Sequence, residues 1–178
     1  GATDSKLVDA QAGLESGISA MVGALSGINM ISGSGMLDFL ACHSAEKLVI
    51  DAEGIAMAKR MIGGVKLHTD TLATGFYDDK INFKGGDFLK QKITMKLFRE
   101  EQHLPSSVID RDSTRAWKAN GSLDAFGRAK LRVNELLASY KRPEIDPAQE
   151  RRLHAFMLDL TKKAGVDILP LLEHYQPA

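Results

Sequence analysis

Three short stretches carry residue types that could do chemistry. Asp4-Ser5-Lys6 sets a carboxylate, a hydroxyl and an ammonium side by side. Gly33-Ser34-Gly35 is a glycine loop whose backbone can take conformations closed to other residues. His43 follows, next to the lone Cys42. The loop lacks the dinucleotide fingerprint, because no third glycine opens the following helix, and no Lys follows Gly35 as a phosphate-cradling Walker loop requires. By itself it reads as a tight strand-to-helix connection, with a nucleotide-binding α/β domain as the weakest reading it allows. Cys42 and His43 are adjacent, so in regular structure they point different ways and make a poor ligand pair. His43 reads first as a residue that hydrogen-bonds within its loop. Asp4 and Asp38 flank expected strand ends and are candidate site carboxylates. Asp51, Glu53, Asp78 and Asp79 lie on or near expected helices and read as a solvated face. His68, His103, His154 and His174 sit in polar settings and read as solvated too. No nucleophile elbow, metal-binding helix motif or catalytic-cysteine context accompanies them.

The elements that would position these groups follow from periodicity. Ile28-Asn29-Met30-Ile31 is a short apolar run emptying into the glycine loop, as a strand covered on both faces does. Before it, Val8 to Leu25 reads as a helix crowded with small residues, capped by the Asp4-Ser5-Lys6 region or by Asp9. Its glycines, each costing about 1 kcal/mol relative to alanine, imply close packing, with Ile18, Met21, Val22 and Leu25 as the apolar stripe. Met36 to His43 is apolar and of open type. Ser44 then caps a helix from Ala45 to Ile62, ended by Gly63-Gly64. Further helices are expected over 70–79, over Phe88 to Glu101 (stopped by Pro105), around Trp117, from a Ser122 cap to about Tyr140, and over Ala148 to Ala164. Helix, strand, glycine loop, helix is the rhythm of an α/β fold, giving way to nearly all helix after Gly64.

Composition bounds the rest. The chain has 178 residues, 44% hydrophobic and 26% charged, with a formal net charge of zero. That is enough for one domain with a core, and it gives no electrostatic pull toward nucleic acid or an anionic membrane. One cysteine excludes an internal disulfide and any zinc site built on several cysteines. No apolar run approaches a membrane span, and with no signal peptide the expected compartment is the cytoplasm. A chain opening on Gly1 rather than Met reads as a piece of something larger.

The order of several segments resembles the trimethylamine methyltransferase superfamily. These are Thr3-Asp4-Ser5-Lys6, Asp9-Ala10-Gln11-Ala12-Gly13, Ile31-Ser32-Gly33-Ser34-Gly35-Met36-Leu37 and Glu46 to Glu53. Farther on come Gly85-Gly86-Asp87-Phe88-Leu89, Phe98-Arg99-Glu100-Glu101, Pro105, Asp110-Arg111 and Trp117. The likeness runs to about Tyr140.

The resemblance implies the carboxyl-terminal part of a (β/α)8 TIM barrel followed by a helix-rich extension. Residues 1–68 would be the last βα units and residues 69–178 the helical region of the same domain. It implies transfer of a methyl group, of the kind used in methanogenesis, from trimethylamine, glycine betaine or a similar methylated amine. The acceptor would be the cobalt of a corrinoid (cobalamin) carried by a partner protein, with none bound permanently, and the full-length enzyme would be a homo-oligomer. The isolated piece would be inactive. Asp4, Ser5 and Lys6 would lie at one strand end and Gly33, Ser34 and Gly35 at the next, facing substrate or corrinoid at the barrel mouth, with His43 close behind. One departure stands out: many relatives are expected to carry a His-Thr pair where this chain has Ile93-Thr94. The trimethylamine branch uses pyrrolysine, whose position relative to Gly1 is not fixed, so the amine stays open. The competing reading is a non-enzymatic helical module for protein interaction.

Overall fold

In the computed structural model, residues 1–69, 71–72, 74 and 88–166 are described. The expected helix over 70–79, the Lys84-Gly85-Gly86-Asp87 turn and the tail beyond Val166 lie outside them, apart from three positions of the first. The described residues are mostly helical, with one small two-stranded sheet, an arrangement compatible with the α/β class. Two compact units divide between Ser139 and Tyr140.

The first unit is built on two helices. Helix α1 runs Ala10–Leu25, and the Asp9 carboxylate caps it by accepting the Ala12 N–H at 3.1 Å. Helix α2 runs Ala45–Ile62, and the Ser44 hydroxyl accepts the Lys47 N–H at 3.2 Å. Lys59 and Arg60 in its last turn face the partial negative charge of the helix end. The buried face of α1 is Ala12, Ser16, Ala20 and Gly23, residues at helical spacing that share one side. This reverses the expected stripe: Ile18, Val22 and Leu25 are all more than half exposed. A helix that packs through its small side presents its large side outward. The expected close approach occurs at Gly23, where an added Cβ would lie 2.5 Å from Ile31 Cδ1. At Gly13 and Gly17 an added Cβ would meet nothing within 4 Å, because these glycines border a cavity.

Ile28 to Ile31 does not form the expected strand. A strand needs a ladder partner for its backbone, and no described segment supplies one; Met30 is 86% exposed. The sheet lies just beyond, where strand β1 (Met36–Leu37) pairs antiparallel with strand β2 (Cys42–His43), Met36 opposite His43 and Leu37 opposite Cys42.

Helix α3 (Lys92–Glu101) follows a short 3-10 turn at Phe88–Lys90, and helix α4 (Thr114–Ala119) is capped by the Ser113 hydroxyl. Helix α5 spans Ala125–Ser139. Its cap is Asp124, which accepts the Gly127 N–H at 2.7 Å, and not Ser122, which sits at φ +55° in the preceding turn. Helix α2 packs against both α1 and α5. Val108 and Ala129 are wholly buried, and Arg128 Nε donates to the Val108 carbonyl at 2.9 Å. In the second unit, helix α6 (Pro147–Lys163) is capped by Asp146, with Pro147 in its first turn where a missing N–H costs nothing. Among the described residues no helix is long and apolar enough to cross a membrane.

Candidate functional site

The amino-terminal segment lies along the sheet turn. Asp38 N–H donates to the Ser5 carbonyl at 3.0 Å and Phe39 N–H to the Thr3 carbonyl at 3.2 Å. These bonds set the Asp4-Ser5-Lys6 stretch beside the turn that follows the Gly33-Ser34-Gly35 stretch. No strand ends at either one. Residues 3–6 are held instead by side chains. Glu15, one turn into α1, accepts the Thr3 hydroxyl and, at 2.9 Å, the Asp4 N–H. The Thr3 hydroxyl bond, then Gln11, then the Asp4 N–H hold the Glu15 carboxyl below the usual glutamate range. Ser5 is buried and its hydroxyl donates to Asp9 at 3.0 Å. The Ala12 N–H and then Ser5 lower the Asp9 carboxyl in the same way.

Beneath this edge lies a cluster that the sequence pattern missed. Lys47 is fully buried and Asp51 nearly so, with Nζ to Oδ2 at 2.5 Å. Lys47 Nζ also donates to Ser16 Oγ at 2.8 Å and to the Gly1 carbonyl at 2.9 Å. Asp51 Oδ2 accepts the Gly35 N–H at 2.7 Å, and its Oδ1 is buried without a hydrogen-bond partner among the described residues. One pair therefore ties α2 to α1, to the first residue and to the glycine loop. Asp51 had the appearance of a solvated-face carboxylate, and the structure corrects that. A usable signal was present. Lys47, Asp51, Gly54 and Ala58 share a helix face, and lysine preceding aspartate is the less favourable order for an exposed i, i+4 pair.

The loop glycines serve packing within the unit. Gly35 has φ +80°, and an added Cβ would lie 2.7 Å from His43 Nε2 and 2.9 Å from Leu48 Cβ. His43 thus covers Gly35, and Ser44 N–H donates to the Gly35 carbonyl at 2.9 Å. Gly33, at φ +85°, faces Ala2 at 3.2 Å. What this edge presents to solvent is Asp4, Lys6, Phe39 and Leu40. Asp38, Phe39 and Leu40 have φ of 48°, 64° and 138°, three successive left-handed non-glycine residues. Each such residue costs on the order of 1–3 kcal/mol, and backbone of this kind clusters at functional sites.

Between α1 and α2 lies a cavity of about 750 Å³, walled by Gly13, Gly17, Ala20, Gly54 and Met57 and reaching Asp51. The other histidines are less solvated than expected. His68 Nε2 lies 3.1 Å from Glu101, which also pairs with Arg60. His103 is half-buried, with no hydrogen-bond partner for Nε2 among the described residues, and His154 is half-buried. His174 is outside the described residues. Among the described residues no cluster of three or more His, Cys, Asp or Glu could hold a metal ion.

The trimethylamine methyltransferase family model matches residues 1–165. A glycine betaine methyltransferase of Desulfitobacterium hafniense (strain Y51) is 34% identical over 166 residues, which are 93% of this chain and 34% of that protein. Trimethylamine methyltransferase MttB2 of Methanosarcina mazei is 36% identical over 146 residues, 81% of this chain and 28% of that protein. MttB of Methanosarcina thermophila is likewise 36% identical over 146 residues, 81% of this chain and 29% of that protein. The chain thus spans about a third of the length of the curated relatives it matches. With the match covering most of its residues, the chain belongs to the trimethylamine methyltransferase family.

Proposed function

We propose that this chain is the carboxyl-terminal part of a (β/α)8-barrel methyltransferase, and that the edge presenting Asp4, Lys6, Phe39 and Leu40 belongs to the barrel mouth. Residues 1–68 would be the last βα units and 69–178 the helical region of the same domain. The enzyme, cytoplasmic and oligomeric at full length, would take a methyl group from a methylated amine. The observation that carries this is the pairing of residues 3–5 with Asp38 and Phe39, inside the stretch matched by the family. Two stretches that the resemblance would make successive strand ends approach each other there, as neighbouring loops do at a barrel mouth. The acceptor would be a corrinoid brought by a partner protein, a co-substrate whose cobalt takes the methyl group.

This chain's residues would orient the amine and admit that partner. Orientation is the main contribution a protein can make to such a transfer. Asp4, Asp38 and the Phe39 ring are groups suited to a methylated ammonium, and the bonds to the Ser5 and Thr3 carbonyls hold the turn that carries two of them. The thin apolar core supports a piece that is completed by further barrel. Among the described residues the buried apolar side chains are Ala12, Ala20, Leu37, Ala58, Val108 and Ala129. A freestanding interaction module would need more than that.

The test uses the full-length protein, a reduced corrinoid protein, and either glycine betaine or trimethylamine, with the demethylated amine measured by NMR. Product formed only when the corrinoid protein is present is the expected result. Absence of product from every methylated amine tried would overturn the reading.

A further inference from the structure

We propose that Lys6, Asp38 and Phe39 form a receptor for a zwitterion that carries both a methylated ammonium and a carboxylate. The proposal rests on the methyl-transfer reading for its substrate class and narrows it, because trimethylamine has no carboxylate.

The receptor already holds a cation of its own. Lys6 Nζ lies 5.2 Å from the centroid of the Phe39 ring and 3.3 Å from Asp38 Oδ1. An aromatic face with a carboxylate beside it is a site for an ammonium group, and here the chain's own lysine stands in for one. A methylated ammonium fits that position better. Aromatic faces are the recurring receptor for such cations, whereas a lysine ammonium is compact and strongly hydrated. Once displaced, Lys6 has a flexible four-carbon stem and a free charge, which a carboxylate on the same ligand would satisfy. The internal Lys6–Asp38 pair is therefore exchanged for two pairs with one zwitterion.

The geometry is prepared and accessible. The Asp38 and Phe39 backbones are fixed by their bonds to Ser5 and Thr3, and the left-handed run at Asp38–Leu40 sets the direction of both side chains. The side chains of Lys6 and Asp38 are 66% and 41% exposed, and Phe39 is 65% exposed. Ligand exchange needs no opening of the fold.

Isothermal titration of the full-length protein separates the groups. The ligands are glycine betaine as the zwitterion, tetramethylammonium as the cation alone and acetate as the anion alone. Lys6→Gln should weaken glycine betaine by about tenfold while leaving tetramethylammonium unchanged or tighter, since the ring face is freed. Phe39→Leu should weaken both cations by roughly threefold to tenfold, and Phe39→Tyr should restore them. Acetate should bind weakly to all. Equal loss of both cations in Lys6→Gln, no loss in Phe39→Leu, or no binding of glycine betaine to the unmodified protein would overturn the receptor. Its failure is separable from failure of the methyl-transfer reading. Product formation with a KM for glycine betaine unmoved by Phe39→Leu sinks the receptor alone. Glycine betaine binding with the expected variant pattern, but no methyl transfer, supports the receptor and sinks only the reaction.

Discussion

The two faces of α1 follow opposite rules. Its inner face is small: Ala12, Ser16 and Ala20 are buried, and the Ser16 hydroxyl accepts from the buried Lys47 of the Lys47–Asp51 pair. Its outer face is large and apolar, and Leu14, Ile18, Val22 and Leu25 are each 56% exposed or more. In a helix that completes its own core the arrangement is the other way round. The difference teaches that local order here comes from a charged knot joining two helices, the first residue and the glycine loop. The apolar surface that would normally supply stability is left uncovered by the described residues. A knot of this kind fixes one geometry well, since a buried ion pair tolerates few alternatives, though it adds little net stability over an apolar pair of the same volume.

The sharpest way to break that contrast is Asp51→Ala. It strands a fully buried ammonium and removes the acceptor of the Gly35 N–H, so the loss should be on the order of 3–5 kcal/mol. Urea unfolding of the variant against the unmodified chain measures it. A loss below about 1 kcal/mol would mean that the knot is incidental and that stability lies elsewhere.

The outer face should behave in the opposite sense. Ile18→Lys and Leu25→Lys together change two residues that are 56% and 60% exposed. Surface changes of this kind fall within about 0.5 kcal/mol each. What should change is association: an uncovered apolar stripe drives self-association, and sedimentation velocity should show less of it in the variant. If unfolding instead shows a core-sized loss, the two faces are not different in kind.

The same contrast explains what was legible in the sequence. Caps and stops are local chemistry, so Asp9, Ser44 and the glycine pair after Ile62 mark real helix ends. Which face is buried depends on what lies opposite, and for α1 that is a helix whose buried residues are Ala58 and one ion pair. Hydropathy ranks Ile18 above Ser16 and so points to the wrong side. Ile28 to Ile31 has strand composition, but composition cannot supply the neighbour that a ladder needs. The approach of residues 3–6 to the 33–40 turn was expected on resemblance alone. Its agents, Glu15 and the Lys47–Asp51 pair, were hidden because charged residues on helices are usually solvated. The left-handed run at Asp38–Leu40 leaves no mark in the sequence, because none of its residues is glycine.

The smallest expected effect concerns the exposed rim of the knot and is read from pH. Glu15 is held below its ordinary value of 4.5, first by the Thr3 hydroxyl, and Asp9 below 3.8, first by the Ala12 N–H. Both carboxyls are more acidic in the folded chain than in the unfolded one. Their contribution is therefore fully present above the unfolded values, and it is lost as pH falls through the folded ones. At neutral pH it is constant. In Glu15→Gln the Thr3 and Asp4 donors keep an uncharged acceptor, so the variant should melt slightly below the unmodified chain. That gap should stay flat from pH 8 to about 6 and narrow only below about pH 4.5, where the native carboxylate begins to take up its proton. Thermal melts of both proteins across this range are sufficient. A gap that closed near neutral pH would implicate a histidine in place of Glu15, and would mean that the amino-terminal segment is held independently of the knot.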